Sequence, residues 1–167
     1  MSRGMLIAVI ADTHLPRGPR KLPERCLEHL REAELILHAG DVSTVGVLDE
    51  LSALGPPLVA VHGNVDEPAL VERLDGDVQL ELGGVRLAMT HDAGPASGRV
   101  ARLRRRFPAA DAVVFGHSHI PLLDGVEGFQ IFNPGSPTDR RRQPQRTMGL
   151  ARLEEGRIAF EHVALGA

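Results

Sequence analysis

Residues 5–14 read MLIAVIADTH, an apolar run that ends abruptly in Asp12, Thr13 and His14. The run Met5–Ile10 is rich in branched side chains and does not alternate with polar residues, which is typical of a strand covered on both faces. In open α/β sheets, ligands bind beyond the carboxyl ends of such strands. These ten residues therefore predict a buried central strand with a polar site at its end.

The rest of the chain continues as short apolar runs, each followed by a turn or an amphipathic segment. Gly83-Gly84 separates two of these runs and predicts a hairpin. Further strands are predicted at 34–38, 58–62, 78–82, 85–90, 112–115, 128–132, 149–153 and 157–163, and helices at 22–33, 44–54, 68–74 and 99–107. We therefore expect one domain over residues 1–167, an α/β fold with two mixed β-sheets packed between helices.

Composition limits the classes of partner. The net charge of -3 gives no reason to expect stable nucleic-acid binding, which needs a basic face. No apolar run is long enough for a membrane span, so we expect no membrane association and a cytoplasmic location. The single cysteine, Cys26, excludes an intramolecular disulfide and a thiolate-rich metal site. A homo-oligomer stays possible.

Polar side chains follow five of the predicted strands at the point where each strand ends. Because the carboxyl ends of strands form the ligand-binding edge of an α/β sheet, we expect these side chains to converge. A glycine directly precedes three of them and allows the backbone to turn close to a ligand. The seven candidates are Asp12, His14, Asp41, Asn64, His91, His117 and His119.

The chemistry of these side chains predicts transition metals. Residues two apart on an extended segment point the same way, so Asp12 and His14 can approach one ion together, as can His117 and His119. Mixed imidazole and carboxylate ligands suit Mn²⁺, Fe, Zn²⁺, Co²⁺ or Ni²⁺ better than Ca²⁺ or Mg²⁺. Seven candidates exceed the needs of one ion, so we expect two divalent ions that share a carboxylate and can clamp a phosphoryl group.

Five short motifs, in this order and spacing, resemble those of the calcineurin-like metallophosphoesterase superfamily. They are Asp12-Thr13-His14, Gly40-Asp41, Gly63-Asn64-Val65-Asp66, Thr90-His91 and Gly116-His117-Ser118-His119. The tract Asn133-Pro134-Gly135-Ser136-Pro137 looks like the small bacterial and archaeal phosphodiesterase branch. The resemblance runs from Met5 to about Arg142. It implies an αββα sandwich and hydrolysis of phosphate esters, foremost phosphodiesters, by a hydroxide that bridges two metal ions.

Carried over position by position, the resemblance implies two ligand sets. One metal would be held by Asp12, His14, Asp41 and His119, and the other by Asp41, Asn64, His91 and His117. Asp41, which bridges both ions, is expected to serve catalysis directly, together with Asn64 and His91. Manganese is the first expectation for both positions, with iron, zinc, nickel and cobalt as alternatives.

Two positions depart from the family pattern. Many members follow the Gly-Asn pair with a histidine thought to protonate the leaving group, and here that position is Val65. The substitution predicts weak catalysis on poor leaving groups. After His91, relatives often continue with glycine and histidine, whereas Asp92 stands here. Its carboxylate is expected to orient the ring of His91.

Two residues are candidates for contact with substrate. His62 ends the third strand beside Asn64 and could face the phosphate or transfer a proton, although a structural role is the alternative. Arg140 opens the run Arg140-Arg141-Arg142, and arginine forks match phosphate geometry well. For this run the alternatives are surface charge or pairing with Asp139.

The resemblance leaves two function classes open. The first is an enzyme acting on a small-molecule or nucleotide-type phosphodiester. The second is a non-catalytic metal-binding interaction scaffold on the same fold, as in the retromer scaffold subunit that this branch resembles. A scaffold can lose ligands without penalty, and every expected ligand position is filled here, which favours the enzyme. A nucleotide-binding Rossmann domain is excluded because no Gly-x-Gly-x-x-Gly follows Ile10.

Overall fold

Within residues 4–15 and 21–167, the ranges that the computed structural model describes, ten strands form two sheets and four helices cover them. The strands are β1 (Met5–Ile10), β2 (Leu35–His38), β3 (Leu58–Ala60), β4 (Asp77–Leu82), β5 (Val85–Thr90), β6 (Ala112–Val114), β7 (Leu122–Val126), β8 (Phe129–Asn133), β9 (Arg146–Glu154) and β10 (Arg157–Gly166). The helices are α1 (Glu24–Glu32), α2 (Val45–Ser52), α3 (Pro68–Arg73) and α4 (Arg99–Arg106). None of these helices has the length and apolar character needed to cross a membrane.

Both sheets mix parallel and antiparallel pairs. The first sheet has the order β10-β9-β1-β2-β3, in which β1, β2 and β3 run parallel and β9 and β10 run antiparallel. The second has the order β4-β5-β6-β8-β7, in which β5, β6 and β8 are parallel and the edge strands β4 and β7 are antiparallel. The polar motifs follow β1, β2 and β3 of the first sheet and β5 and β6 of the second.

Three apolar layers hold the sheets and helices together. On β1, Ile7 and Val9 enter the layer between the two sheets, whereas Ala8 and Ile10 enter the layer under α1, α2 and α3. A third layer joins α4 to the outer face of the second sheet. Because successive side chains of β1 enter two different apolar layers, the strand has no polar alternation. The predicted αββα arrangement is confirmed.

The strand prediction left out β7, at the edge of the second sheet. Its sequence Leu-Leu-Asp-Gly-Val contains Asp124 and Gly125, two residue types that are depleted in strands. Four of its five residues are exposed. The strand therefore forms through backbone pairing with β8, which leaves almost no hydrophobic pattern in the sequence.

Candidate metal centre

Six of the seven side chains predicted as metal ligands gather into two groups of three. The groups are Asp12, His14 and His119, and Asp41, His91 and His117, and within each group one ligand atom per residue lies within 4.8 Å of the others. The seventh side chain, Asn64, joins the second group. Its Oδ1 lies 2.9 Å from Nε2 of His91 and 3.1 Å from Nδ1 of His117.

The Asp41 carboxylate lies between the two groups. Its Oδ2 is 3.4 Å from Nε2 of His14 in the first group and 3.2 Å from Nε2 of His91 in the second. Oδ1 of Asp12 is 3.8 Å from the same His14 atom and 3.9 Å from the same His91 atom. The two groups therefore adjoin, and Asp41 is in reach of a cation in either.

Whether these residues fit a cation can be judged from buried polar atoms that lack a hydrogen-bond partner. In the described ranges, four buried side-chain nitrogen or oxygen atoms lack a hydrogen-bond partner, and three belong to the first group: Asp12 Oδ1, His14 Nε2 and His119 Nε2. Each such atom costs roughly 1–3 kcal/mol of stability. One divalent cation would satisfy all three, and a mixed imidazole and carboxylate donor set suits a transition metal. The residues therefore fit the metal.

The backbone at these positions has an unusual conformation. Five of the seven predicted ligands have positive φ: Asp12 at 55°, His14 at 46°, Asp41 at 61°, His117 at 74° and His119 at 63°. A side chain in this left-handed region costs about 1–2 kcal/mol per residue. Such strain persists where surrounding contacts enforce it, and it clusters at functional sites.

Two glycines permit the close approach that was predicted from the sequence. A Cβ atom on Gly40 would collide with the ring of His91, and one on Gly63 would collide with the carboxylate of Asp41. Gly40 also has a φ of 101°, which strongly disfavours other residues. Any larger residue at either position would displace a predicted ligand.

Backbone carbonyl groups orient two of the histidine rings. Nδ1 of His91 donates to the carbonyl oxygen of Ala39 at 2.7 Å, and Nδ1 of His119 donates to that of Asp139 at 2.6 Å. Both rings therefore turn Nε2 towards the ligand groups. The expectation that Asp92 orients His91 is wrong. The Asp92 carboxylate accepts the Gly94 N–H at 2.8 Å, because an aspartate readily bonds to the backbone two residues ahead.

Electrostatics prepare Asp41 to bind cations. Burial raises the pKa of Asp41, but the hydrogen bond with His91, the Val65 N–H and the nearby histidine charges outweigh it and bring the pKa to about 2. Burial lowers the pKa of His91, but Asp41 and Asp12 reverse this and raise it to about 8. Asp41 is consequently an anion throughout the neutral range.

Asp66 is a site residue that sequence reasoning missed as such. Its carboxylate accepts the N–H groups of Gly63 at 2.6 Å, Ser43 at 2.6 Å and Asp41 at 3.2 Å. It thus joins the loops that follow β2 and β3. The signal was its place at the end of the Gly-Asn-x-Asp motif, two residues after Asn64.

The tract at residues 133–138, at the end of β8 and after it, makes hydrogen bonds to the loops that carry the predicted ligands. Oγ of Ser136 donates to the carbonyl oxygen of Asp12 at 2.8 Å, and Oγ1 of Thr138 donates to that of Thr13 at 2.6 Å. Nδ2 of Asn133 donates to the carbonyl oxygen of Gly116 at 3.1 Å. These contacts connect the ligand loops of the two sheets.

The two candidates for substrate contact lie outside the ligand groups. His62 is half-buried beside Gly76, and its backbone N–H donates to the carbonyl oxygen of Asp75. Arg140 is exposed, and its Nη1 donates to the carbonyl oxygen of Gln143 at 2.7 Å. Burial lowers the pKa of His119, and the charge of Arg141, a neighbour of Arg140 in the run, lowers it further.

Comparisons with known proteins show what this chain is similar to. A "Probable metallophosphoesterase" of Methanothermobacter thermautotrophicus is 34% identical over 165 residues, which cover 98% of this chain and 94% of that protein. A phosphodiesterase of Methanocaldococcus jannaschii is 25% identical over 144 residues, or 78% of this chain and 83% of that protein. Vps29 of Entamoeba histolytica in complex with zinc has the same fold, with a TM-score of 0.74, 23% identity and coverage of 97% and 100% of the two chains.

The family follows from the sequence profile that matches. The profile described as the calcineurin-like phosphoesterase superfamily domain covers residues 5–156, a range that contains every residue of both ligand groups. Together with the archaeal relative, this match extends over nearly the whole chain. The chain belongs to the calcineurin-like phosphoesterase superfamily.

Proposed function

We propose that this protein is a metal-dependent phosphodiesterase that holds two divalent transition-metal ions and acts on small or nucleotide-type diesters. One observation carries the proposal: the Asp41 carboxylate lies 3.4 Å from His14 and 3.2 Å from His91, between two groups that can each hold a cation. The phosphodiesterase among the relatives supports the substrate class. A reducing cytoplasm suits the single buried thiol, Cys26.

Each residue of the centre has a part in this proposal. Asp12, His14 and His119 would hold one ion, His91, His117 and Asn64 the other, and Asp41 would touch both. Two such ions supply a clamp for phosphoryl oxygens and a nucleophile from water at neutral pH. The protein orients the donors: carbonyl groups fix two of the rings, and the low pKa of Asp41 keeps its carboxylate charged. His117 and Asn64 are exposed and form the side open to substrate.

Val65 sharpens the proposed substrate preference. Its N–H donates to Oδ1 of Asp41 at 3.0 Å, and its side chain is 48% exposed at the rim of the centre. Valine carries no proton for a departing alkoxide. We therefore expect diesters with aryl or other acidic leaving groups to react best. His62 and Arg140 stay in the proposal as candidates for proton transfer and phosphate contact.

The proposal is tested with an aryl phosphodiester such as bis(4-nitrophenyl) phosphate. Chelation should abolish hydrolysis, and Mn²⁺ should restore it. Asp49→Asn is a matched control, because it neutralises an exposed carboxylate whose ion pair with Arg73 is also exposed. That variant should respond to chelation and Mn²⁺ as the unmodified protein does. Full activity in thoroughly demetallated protein would overturn the metal-dependent mechanism.

A second candidate function is a non-catalytic metal-binding scaffold. The fold shared with zinc-bound Vps29 supports it, as does the absence of a proton donor at Val65. The exposed apolar residues Leu123 and Val126 on edge strand β7 would offer a surface for a partner. Metal binding without hydrolysis across a panel of aryl and alkyl diesters would favour the scaffold over the enzyme.

A further inference from the structure

His38 is a buried titratable residue that the proposed chemistry does not use. It is the last residue of β2, it is fully buried, and it lies three residues before Asp41. Burying an imidazole without hydrogen bonds is costly, so its partners decide what it does. Neither of its ring nitrogens belongs to a ligand group.

The hydrogen-bond partners of His38 determine which ring nitrogen carries the proton. The Gly40 N–H can only donate, and it lies 3.2 Å from Nδ1 of His38, so Nδ1 is the acceptor and the ring proton is on Nε2. Nε2 then donates to Oγ1 of Thr13 at 3.0 Å. The Thr13 hydroxyl in turn donates to the carbonyl oxygen of Asp41 at 3.4 Å.

This chain of hydrogen bonds joins two of the three loops that carry predicted ligands at the edge of the first sheet. Thr13 stands between Asp12 and His14 on the loop after β1, and Gly40 and Asp41 form the loop after β2. Backbone bonds from Asp12 to Gly40 at 2.9 Å and from His14 to Asp41 at 3.1 Å connect the same loops. The ring of His38 therefore lies beneath a junction that contains ligands of both groups.

The ring keeps this arrangement because it stays neutral. Burial and the charge of His91 lower the pKa of His38 to about 3, although the charge of Asp41 acts in the opposite sense. A protonated ring would present an N–H to the Gly40 N–H and lose the acceptor. The geometry and the charge state thus agree on one tautomer.

We propose that His38 and Thr13 form a positioning pair that fixes the loop of Asp12 and His14 against the loop of Asp41. Through Asp41 the pair sets the affinity of the centre for both metal ions. This inference rests on the two-metal part of the proposed function. Partners of metal ligands typically change metal affinity or activity by about 10–100-fold when they are lost.

Thr13→Val tests the pair with almost unchanged side-chain volume, and Thr13→Ser is its matched control because it keeps the hydroxyl. The apparent dissociation constant for Mn²⁺ is measured by calorimetry on folded, demetallated protein, and bound metal is counted by elemental analysis. We expect Thr13→Val to bind both ions about 10-fold more weakly. Thr13→Ser should stay within about 2-fold of the unmodified protein.

His38→Asn tests the other half of the pair. It can keep an acceptor near Gly40 but loses the donor to Thr13, so it should weaken Mn²⁺ binding by about 10-fold as well. The double variant His38→Asn/Thr13→Val should bind Mn²⁺ no more weakly than Thr13→Val alone, because Thr13→Val already removes the hydrogen bond that His38→Asn removes. His38→Asn also serves if Thr13→Val does not fold.

Other outcomes would overturn the pair. A lower melting temperature with unchanged Mn²⁺ affinity would reduce both residues to structural roles, and additive losses in the double variant would show that they act separately. Because affinity is measured without substrate, the pair and the proposed function fail separately. If the unmodified protein binds Mn²⁺ but hydrolyses no diester, weaker binding in Thr13→Val still supports the pair. Absence of Mn²⁺ binding in the unmodified protein would overturn both.

Discussion

The two halves of the candidate metal centre differ in how they satisfy their polar atoms. The inner group, Asp12, His14 and His119, is buried, and three of its atoms have no partner among the described residues. The outer group consists of Asp41, His91 and His117, with Asn64 beside it. Its two histidines both bond to the Asn64 side-chain oxygen, and both His117 and Asn64 are exposed.

This difference indicates a division of labour. The inner group leaves buried atoms unsatisfied unless a cation binds, so its ion should be held tightly. The outer group can replace an ion with its own hydrogen bonds and with water, so its ion should exchange more easily. We infer that substrate approaches from the outer side, where the donors face solvent. Asp41 links the two groups, so a substitution of Asp41 should weaken the binding of both ions and not of one alone.

The largest effect is therefore expected for Asp41→Asn, compared with one variant from each group. It removes the shared charge, so both ions should be lost, and hydrolysis should fall by about 10³-fold because the ions that would stabilise the transition-state charge are lost with it. His14→Ala should mainly cost the inner ion, and His117→Ala should weaken only the outer one. The measurements are elemental analysis and the rate with an aryl diester.

Two results would break this comparison. Two metals per chain and a normal rate in Asp41→Asn would remove the shared-ligand assignment. Equal losses of both ions in His14→Ala and His117→Ala would show that the groups do not bind separately. Asp49→Asn again controls for the loss of one negative charge, because its carboxylate is exposed on α2.

A smaller effect is expected at Val65, on the rim of the outer group. Val65→His would add a proton donor for the leaving group, which typically contributes ~10²–10⁴-fold. We expect the rate on alkyl diesters to rise by about 10²-fold, the lower end of that range, because the new ring is not pre-oriented. Aryl diesters need little protonation and should change far less, so the gap between the two substrates narrows.

Wild-type rates provide the check on this reading of Val65. If alkyl and aryl diesters react equally well with chemistry rate-limiting, another acid is already present. His62 is then the first candidate, although it lies beside Gly76 and outside both ligand groups. His62→Ala would decide, because it should lower the alkyl rate selectively.

The sequence predicted which side chains gather at the candidate centre better than the contacts that hold them in place. Asp41 and His91 could be identified because parallel strands deliver their next residues to one edge of a sheet. What orients His91 could not be identified: the ring bonds to the Ala39 carbonyl, and every residue has such a carbonyl. The part proposed for His38 could not be identified either. A histidine within an apolar run predicts only a buried structural residue, and its burial beneath the two loops follows from strand pairing.

The smallest effect concerns stability against pH in metal-free protein, and it sets His91 of the outer group against His38 beneath the centre. The pKa of His91 is raised to about 8, so its contribution is present below about pH 6.5 and is lost as pH rises through 8. The pKa of His38 is lowered to about 3. Its contribution is present above about pH 6.5 and is lost as pH falls towards 3.

The two signs predict a maximum of stability near pH 6.5 for the metal-free protein. Below that pH the His38 term should weaken the fold by about 1.4 kcal/mol per pH unit, and the slope is measured by urea unfolding between pH 5 and 8. His38→Asn should reduce the slope on the acid side, to which His119, whose pKa is also lowered, still contributes, and His91→Asn should reduce the slope on the alkaline side. An unchanged acid slope in His38→Asn would mean that His38 takes up its proton in the folded state and that the fixed tautomer is wrong. Saturating Mn²⁺ should remove the alkaline-side pH dependence that His91 causes, because a histidine bound to metal no longer takes up a proton on folding.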